Sequence, residues 1–458
     1  MLDRARSTLA RWIAPSQTRR FDGASMGRRM FGAGTFGRVN SEIGGAGQTL
    51  ASRSAYLVAN NPLIGNAVGN IVGEAIGSGI RPSSANPDLV KRFDEWSEAA
   101  DADGRTDFYG LQALIVTDVV VRGESFVLLQ YDESGSTLRV LDVEQVDRSV
   151  TRELGNGAQI VQGVEFDAAG KRVAYWISPS RLTDTFASWA PPVRVSADDV
   201  LHIFRPLMPG QVRGVPWTAS IILSAGELDK LTDALLMGAS VAAMFCGVIT
   251  DQNDFGGEDP FKGEAQPSLE PGTLIRVGGG KTVTFSSPQQ SQAVAPLLKA
   301  QIRALAAGMG LPAFMVDGDL TGANYSSLRA GLLPFRRRIE AFQYHCLVPQ
   351  LLAPVWRRFL TGEMLAGTVD ETADRRCDWI TPKPLQVDPA KDVEADIAEI
   401  TAGLASRRQK VAERGWNIDE LDSEIAADRE RESTLGLTFG APQPAKTEDK
   451  PATEDEAS

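Results

Sequence analysis

Two helical patterns separated by a short β-rich stretch constrain the fold of this chain more than any other feature of its sequence. The first pattern covers 218 to 245, where one apolar stripe is formed by Ile221, Ala225, Leu228, Leu231 and Leu235. At 1.5 Å per residue, such a helix is about 40 Å long. Strand and loop signals fill 246 to 287, and a second apolar helical stripe covers 288 to 310. The sequence therefore predicts a rod with a β insertion, not a globule.

The region before this rod predicts a mixed α+β module over 51 to 217. Helical periodicity starts at Ser52, and Asn61-Pro62 opens a second helical segment. Strand signals follow at 126–130, 138–141, 161–166, 173–177 and 200–204. A basic, Gly-, Ser- and Arg-rich arm over 1 to 50 shows little periodicity, and we expect it to be flexible or ordered only by a partner.

The region after the rod begins with a loop over 311 to 323. Asn324 can cap a following helix in the segment 324 to 387, which should be kinked at Pro334, Pro349 and Pro354. Arg336, Arg337 and Arg338 point in different directions on that helix, so we expect them to form ion pairs between subunits. Helices are predicted within 388 to 435, followed by an acidic, disordered tail over 436 to 458.

The charge of the chain limits what it can bind. Among its 458 residues, 59 Asp and Glu outnumber 47 Lys and Arg, which gives a net charge of −12. Proteins that grip phosphates along their surface need basic patches, so this balance argues against tight nucleic-acid binding. It remains compatible with DNA that slides past the protein without sticking.

Cysteine and histidine are too few for a disulfide framework or a metal site. The three cysteines, Cys246, Cys346 and Cys377, are far apart, and only His202 and His345 are histidines. Such a set indicates a reducing compartment, and we expect no cofactor. The first residues lack the apolar segment of a secretory signal, so no export is expected.

One uncharged stretch, 234 to 250, approaches the length of a short membrane-spanning helix. Gly238 and Ser240 dilute its hydrophobicity, Asp233 directly precedes it, and aromatic residues of the kind found at membrane interfaces do not flank it. The pattern favours a buried helix that runs into a strand, with no membrane contact. A membrane-anchored structural protein stays as a more distant alternative.

Apparent enzyme motifs fail on their context. The run from Gly278 to Thr282 resembles the end of a phosphate-binding loop, but Ile275 stands where that loop needs glycine, and strand signals follow. A literal G-x-G-x-x-G at 32 to 37 has no preceding strand. Asp317-Gly318-Asp319 is above all a turn signal, and His345-Cys346 indicates helix packing. We therefore predict no catalytic, metal or cofactor-binding residues.

Several motifs resemble the lambda family of phage portal proteins. The longest are Gly310-Leu311-Pro312 and the run Leu320-Thr321-Gly322-Ala323-Asn324-Tyr325-Ser326-Ser327-Leu328-Arg329-Ala330-Gly331-Leu332. Others are His202-Ile203-Phe204-Arg205-Pro206, Gly210-Gln211-Val212-Arg213-Gly214-Val215-Pro216-Trp217 and Gly163-Val164-Glu165-Phe166-Asp167. Near the end stand Asp388-Pro389-Ala390-Lys391 and Ala412-Glu413-Arg414-Gly415. The resemblance extends over about 50 to 435.

The resemblance implies an elongated α+β subunit of the portal type. The module over 51 to 217 would be the wing, 218–245 and 288–310 the two stem helices, and 246–287 a β-rich clip. Residues 311–323 would be the tunnel loop, 324–387 the kinked spine helix with the wing remainder, and 388–435 a helical crown. The rod interrupted by a β insertion, which the periodicity predicts by itself, is what two stem helices and a clip require.

The resemblance also implies a function and a set of partners. Twelve copies would form a ring at one capsid vertex, through which double-stranded DNA is packaged and ejected without sequence-specific contact. The ring would dock the large terminase subunit, head-tail connector or adaptor proteins, and the major capsid or scaffold protein. It would be assembled in the host bacterial cytoplasm and become part of the virion of a tailed phage or prophage.

The loop would line the narrowest part of the channel. The residues expected there are Leu311, Met315, Asp317, Asp319, Thr321 and Asn324. The loop over 311 to 323 contains two aspartates and neither lysine nor arginine, so it would meet DNA through water or steric contact. The alternative function is a DNA-packaging, terminase-like ATPase or nuclease, which would hydrolyse nucleotide.

Overall fold

A computed structural model describes residues 21, 37–132, 135–179, 190–244, 248–251, 281–284, 294–370, 374–382, 389–414 and 416–437. The chain divides into two compact units, Met1–Val387 and Asp388–Ser458. The fold mixes helices with antiparallel sheets, and the predicted α+β class is confirmed. Residues 252–280 of the predicted β-rich stretch, residues 32–36 of the G-x-G-x-x-G run, Cys246 and most of the C-terminal tail lie outside the described residues.

Helices α1 (Val39–Asn60) and α2 (Pro62–Ile76) lie at the start of the first unit. Asn61 separates them and caps α2, because its side chain accepts a hydrogen bond from the Ile64 N–H at 3.0 Å. Pro62 occupies the first turn of α2, where its missing N–H costs nothing. The start of a helical segment predicted at Asn61-Pro62 is confirmed.

The predicted arm over 1 to 50 is wrong for residues 39 to 50, which belong to α1. Its glycines resemble those of a loop, but Ile43, Ala46 and Leu50 are fully buried on one helical face. Gly47 faces the guanidinium of Arg148 so closely that a Cβ atom would overlap it. Close packing against a large polar side chain, and not flexibility, explains this glycine.

The described part of this module also contains β1 (Arg81–Ser83), α3 (Pro87–Glu98), α4 (Phe108–Arg122) and eight further strands, which form two antiparallel sheets. Strands β2 (Glu124–Asp132) and β3 (Gly135–Leu141) pair with the later β9 (Val200–Phe204) in the order β3-β2-β9. A second antiparallel sheet contains, in order, β4 (Arg152–Gly155), β5 (Ala158–Val161), β6 (Val164–Phe166), β7 (Arg172–Ile177) and β8 (Val193–Ser196).

Most predicted strands are confirmed, but the single strand predicted at 161–166 is wrong. Gln162 and Gly163 both adopt positive φ, at 51° and 82°, and form a turn between β5 and β6. The two strands then pair with each other, Val161 opposite Val164. The apolar sequence on both sides of the turn conceals this hairpin from a periodicity argument.

The two helices predicted after residue 217 are confirmed, and the described residues between them form an antiparallel pair of strands. Helix α5 (Ile222–Met244) leads to β10 (Val248–Asp251), which pairs antiparallel with β11 (Lys281–Thr284), and α6 (Val294–Met309) follows. Gly308 of α6 lies against Ile221 so closely that a Cβ atom would overlap the isoleucine. The two helices are therefore tightly packed where α5 begins and α6 ends.

A continuous helical region follows a short loop. It consists of α8 (Tyr325–Phe342), a π-helix (Gln343–Leu352) and α9 (Ala353–Leu365); α7 (Phe314–Asp317) is a single turn within the loop. The predicted interruption is confirmed at Pro349, which lies inside the π-helical segment. Strand β12 (Asp378–Ile380) then pairs antiparallel with β1, opposite Arg81 to Ser83.

The described residues of the second unit form three helices: α10 (Pro389–Thr401), α11 (Arg407–Glu413) and α12 (Ile418–Leu435). Ser406 caps α11 by accepting from the Gln409 N–H at 3.1 Å. Lys410 forms ion pairs with Asp396, Glu399 and Glu413. No described residue of this unit is fully buried, so its described part lacks an apolar core comparable to that of the first unit.

Candidate functional site

The loop between α6 and α8 combines a buried base with an exposed tip. Leu311 and Val316 are buried in the main core, and Met315 is partly buried against it. Asp317 and Asp319 are half-buried, whereas the side chains of Thr321 and Asn324 are exposed. The six residues predicted to line a channel are thus divided between the two parts of the loop, and only the tip offers an open surface.

The tip is a chain of aspartate-capped turns. The Asp317 carboxylate accepts from the Asp319 N–H at 3.0 Å, and that of Asp319 accepts from the Thr321 N–H at 2.9 Å and from the Thr321 hydroxyl. Gly318 follows Asp317 in the left-handed conformation at φ 71°. The turn predicted for Asp-Gly-Asp is confirmed, since the aspartates satisfy backbone donors.

Lys299 of α6 changes the charge of this tip. Its ammonium group lies 2.9 Å from the Asp319 carboxylate, in an ion pair exposed to solvent. Hydrogen bonds from Thr321 and from Lys299 lower the pKa of Asp319, so the carboxylate stays ionised and paired. The loop segment contains no basic residue, but a neighbouring helix supplies one, which the sequence did not predict.

Two asparagines of α2 hold the base of the loop. Asn66 donates to the carbonyl oxygens of Met315 and Val316 at 3.1 and 3.0 Å, and Asn70 donates to that of Met315 at 2.6 Å. The partners are more than 240 residues apart in sequence. The four-residue spacing of the asparagines on α2 is visible in the sequence, but their partner is not.

The half of α5 that is farther from the core is exposed and apolar. From Asp229 to Ser240, every side chain except Leu231 and Leu235 is exposed, including Leu236 at 63% and Met237 at 65%. Residues 234 to 244 contain no charged residue. The uncharged stretch 234–240 of α5 is exposed around most of the helix circumference. Such a surface needs apolar contacts beyond those that the described residues of this chain supply.

A buried charge cluster lies under the motifs at 202–206 and 210–217. Glu124 is fully buried, and its carboxylate receives Arg213 Nε at 2.9 Å, Arg148 at 2.5 Å and the Gly214 N–H at 2.8 Å. Burial alone would raise the pKa of Glu124, but Arg213, Arg148 and His202 outweigh it and hold the pKa well below its usual range. The carboxylate is therefore ionised in the folded chain.

His202 and Arg213 connect this cluster to the two sheets. His202 Nε2 lies 2.9 Å from Glu124, its ring stacks on Phe126 at 4.3 Å, and burial lowers its pKa to about 4. Arg213 also donates to the carbonyl oxygens of Val146 and Gln162 at 2.9 and 2.6 Å. These motif residues stabilise the module; they do not form an open site.

Other predicted residues have structural roles. Arg336 forms an ion pair with Glu74 of the same chain at 3.1 Å, so the expectation of an inter-subunit pair is wrong for this arginine. Cys346 is buried within the π-helix, which confirms the packing interpretation for the cysteine, whereas His345 is exposed. Lys281 begins strand β11, which confirms the strand predicted next to the run that resembles a phosphate-binding loop. The described residues include no group of three or more metal-ligating side chains.

No helix within the described ranges is long and apolar enough to span a membrane. The exposed apolar half of α5 places this chain in the class of subunits whose surface is covered by other chains in an oligomer.

Comparison with known proteins identifies the family. Residues 27–343 match the family described as phage portal protein, lambda family. The probable portal protein of Halomonas phage phiHAP-1 is 26% identical over 370 residues, which cover 76% of this chain and 71% of that protein. The portal protein of Escherichia phage N15 is 24% identical over 456 residues, covering 86% and 85%. Portal protein B of Escherichia phage lambda is 23% identical over 366 residues, covering 69% and 67%.

Among solved structures, one described as "Neck of native GTA particle computed with C12 symmetry" aligns with 92% of this chain and 99% of its own, at 16% identity and a TM-score of 0.47. Because the family match extends over more than half of its length, the chain belongs to the lambda family of phage portal proteins. It is a structural component of a phage virion at the connection between head and tail.

Proposed function

We propose that twelve copies of this chain form a closed ring at one capsid vertex and that double-stranded DNA enters and leaves through its central channel. The observation that carries the proposal is the exposed apolar half of α5. Complete burial of a Leu or Met side chain contributes about 1.5–3 kcal/mol, so leaving Leu236 and Met237 in water is costly for an isolated chain. Equivalent helices of neighbouring copies can cover these residues in a ring.

The proposed domain assignment applies the family resemblance to the observed order of elements. In the proposed ring, residues 51–217 form the wing, α5 and α6 the stem, and the segment with β10 and β11 the clip. The π-interrupted helical region is the spine, and the second unit is the crown. Support comes from the packed ends of α5 and α6 and from the antiparallel pairing of Val248–Asp251 with Lys281–Thr284.

The tip of the loop at 311–323 is proposed to line the narrowest part of the channel. Lys299 pairs with Asp319, so the tip presents less negative charge than its two aspartates alone would. Weak electrostatics suit a channel, since each phosphate contact adds salt-dependent binding that slows translocation. In this proposal the tip meets the duplex through water and steric contact.

The proposed partners are those of a packaging vertex. The clip docks the large terminase subunit during filling and head-tail connector proteins afterwards, and the wing contacts the capsid or scaffold protein. The role is proposed to be structural, with nucleotide hydrolysis left to the terminase. Nucleotide-dependent hydrolysis by the purified chain would favour the alternative of a packaging enzyme.

Imaging and a point substitution test the ring. Purified full-length protein is expected to give annular particles with a central hole in negative stain. Leu236→Glu should shift the protein to monomers and small oligomers, because a carboxylate would be buried at every contact. Leu365→Glu is the matched control, since Leu365 is 77% exposed at the end of another helix. Globular monomers of the unchanged protein under all conditions would contradict the proposal.

A further inference from the structure

One side of α2 carries a line of polar residues directed at the loop. Asn66, Asn70 and Glu74 are spaced four residues apart and therefore share a helical face. The first two contact the loop, and Glu74 pairs with Arg336 of α8. We infer that Asn66 and Asn70 are positioning residues that fix the exposed tip relative to the path of the DNA. This inference rests on the proposed function of the loop.

The two asparagines supply donors that the loop lacks. Met315 and Val316 lie near the C-terminal end of the single-turn helix α7, where backbone carbonyl groups run out of helical partners. The Asp319 N–H, which would be the next helical donor for Met315, is bound to the Asp317 side chain instead. The amide groups of Asn66 and Asn70 donate to these carbonyls in its place.

The anchored base of the loop ends at Val316, and the exposed tip follows it. Val316 is only 1% exposed, and its carbonyl is bound by Asn66 at 3.0 Å. The tip that follows is bounded by Gly318 and Gly322, which have φ values of 71° and 82° and open space where a side chain would lie. The tip is thus short, bends at both ends, and takes its position from the base that α2 holds.

The contact depends on the chemistry of the amide. Asn66 Oδ1 also accepts from Asn70 at 3.4 Å, so the two side chains act as one linked pair. Aspartate has the same shape as asparagine but no N–H donor, and at position 70 it would place a carboxylate 2.6 Å from the Met315 carbonyl oxygen. Replacing both asparagines by aspartate therefore changes attraction into repulsion without changing volume.

The first measurement is hydrogen–deuterium exchange on assembled rings of the full chain. In Asn66→Asp/Asn70→Asp, amides of 315 to 319 should exchange at least about tenfold faster, because three hydrogen bonds to the Met315 and Val316 carbonyls are lost. Asn60→Asp is the matched control: Asn60 is exposed, and its amide donates to the Tyr56 carbonyl of its own helix. If the aspartate pair disrupts ring assembly, Asn66→Ala/Asn70→Ala is measured in the same way.

The second measurement is DNA packaging and retention in particles built with each variant. We expect the asparagine variants to lower the amount of retained DNA severalfold, with ring assembly and the Asn60→Asp particles unchanged. Asp317→Ala/Asp319→Ala, which alters the tip itself, is measured in parallel. It reports on the proposed function of the loop independently of the anchors.

The outcomes separate the two claims. Unchanged exchange in the asparagine variants would show that the contacts do not hold the loop and would overturn the inference. Faster exchange with normal packaging, while the aspartate variants impair packaging, would overturn the positioning role and leave the loop's function intact. Normal packaging in both the asparagine variants and the aspartate variants would contradict the proposed function of the loop and the inference that rests on it. Faster exchange with impaired packaging supports both.

Discussion

Removal of Arg213 is the substitution for which the structure gives the largest expected loss of stability. In Arg213→Met, Glu124 keeps Arg148 and His202 but loses the guanidinium that contacts both of its oxygens at 2.9 Å. Breaking a buried ion pair by removing one partner costs about 3–5 kcal/mol. The Val146 and Gln162 carbonyls also lose their donors, at about 1 kcal/mol or more each. With Arg148 offsetting part of the loss, we expect destabilisation of about 4 kcal/mol.

Urea denaturation followed by tryptophan fluorescence and by circular dichroism measures this loss. Arg376→Met is the matched control, because the Arg376 side chain is 95% exposed and should change stability by less than about 0.5 kcal/mol. A loss below about 1 kcal/mol in Arg213→Met would refute the view that this cluster stabilises the module.

Two further predictions concern pH. Burial raises the pKa of Asp118 to about 7, so the contribution of Asp118 to stability is full below about pH 4 and is lost as the pH rises through 7. Asp118→Asn should therefore stabilise the protein by about 2 kcal/mol at pH 8 and have little effect at pH 4. Equal effects at the two pH values would contradict this prediction. Burial lowers the pKa of His202 to about 4, so the contribution of His202 to stability should fall by about 2–3 kcal/mol as the pH drops from 6.5 to 4, opposite in sign to that of Asp118. In thermal melts across that range, His202→Gln should remove this loss of stability at low pH, and an unchanged pH dependence would count against the prediction.

The rod was predictable because it is specified by local sequence. A long apolar stripe, a β-rich stretch and a second stripe stopped by Gly310 are periodic signals, and α5, β10, β11 and α6 follow them. Helix α4 was not predicted, because its run of valines favours a strand. Its core-facing side chains, such as Ile115 and Val119, are completely buried, and tertiary packing outweighs that preference.

The candidate site was predictable only in its local part. The Asp-Gly-Asp turn and the Asn324 cap are specified by neighbouring residues, and both are present. Asn66, Asn70 and Lys299 were not identified as neighbours of the loop, because their contacts join different elements of the fold. The same reason explains Arg336, whose partner Glu74 is 262 residues away and cannot be recognised from helical spacing.

The pairing of β1 with β12 has a consequence for synthesis. Residues 81 to 83 are among the earlier parts of the chain to leave the ribosome, but their strand partner is at 378 to 380. Phe93 likewise packs on Trp356 and Phe359, with ring centroids 5.3 and 5.2 Å apart. The first module cannot reach its final packing until most of the chain has been translated. Truncated products of interrupted translation therefore lack the β1–β12 pairing and the packing of Phe93 on Trp356 and Phe359.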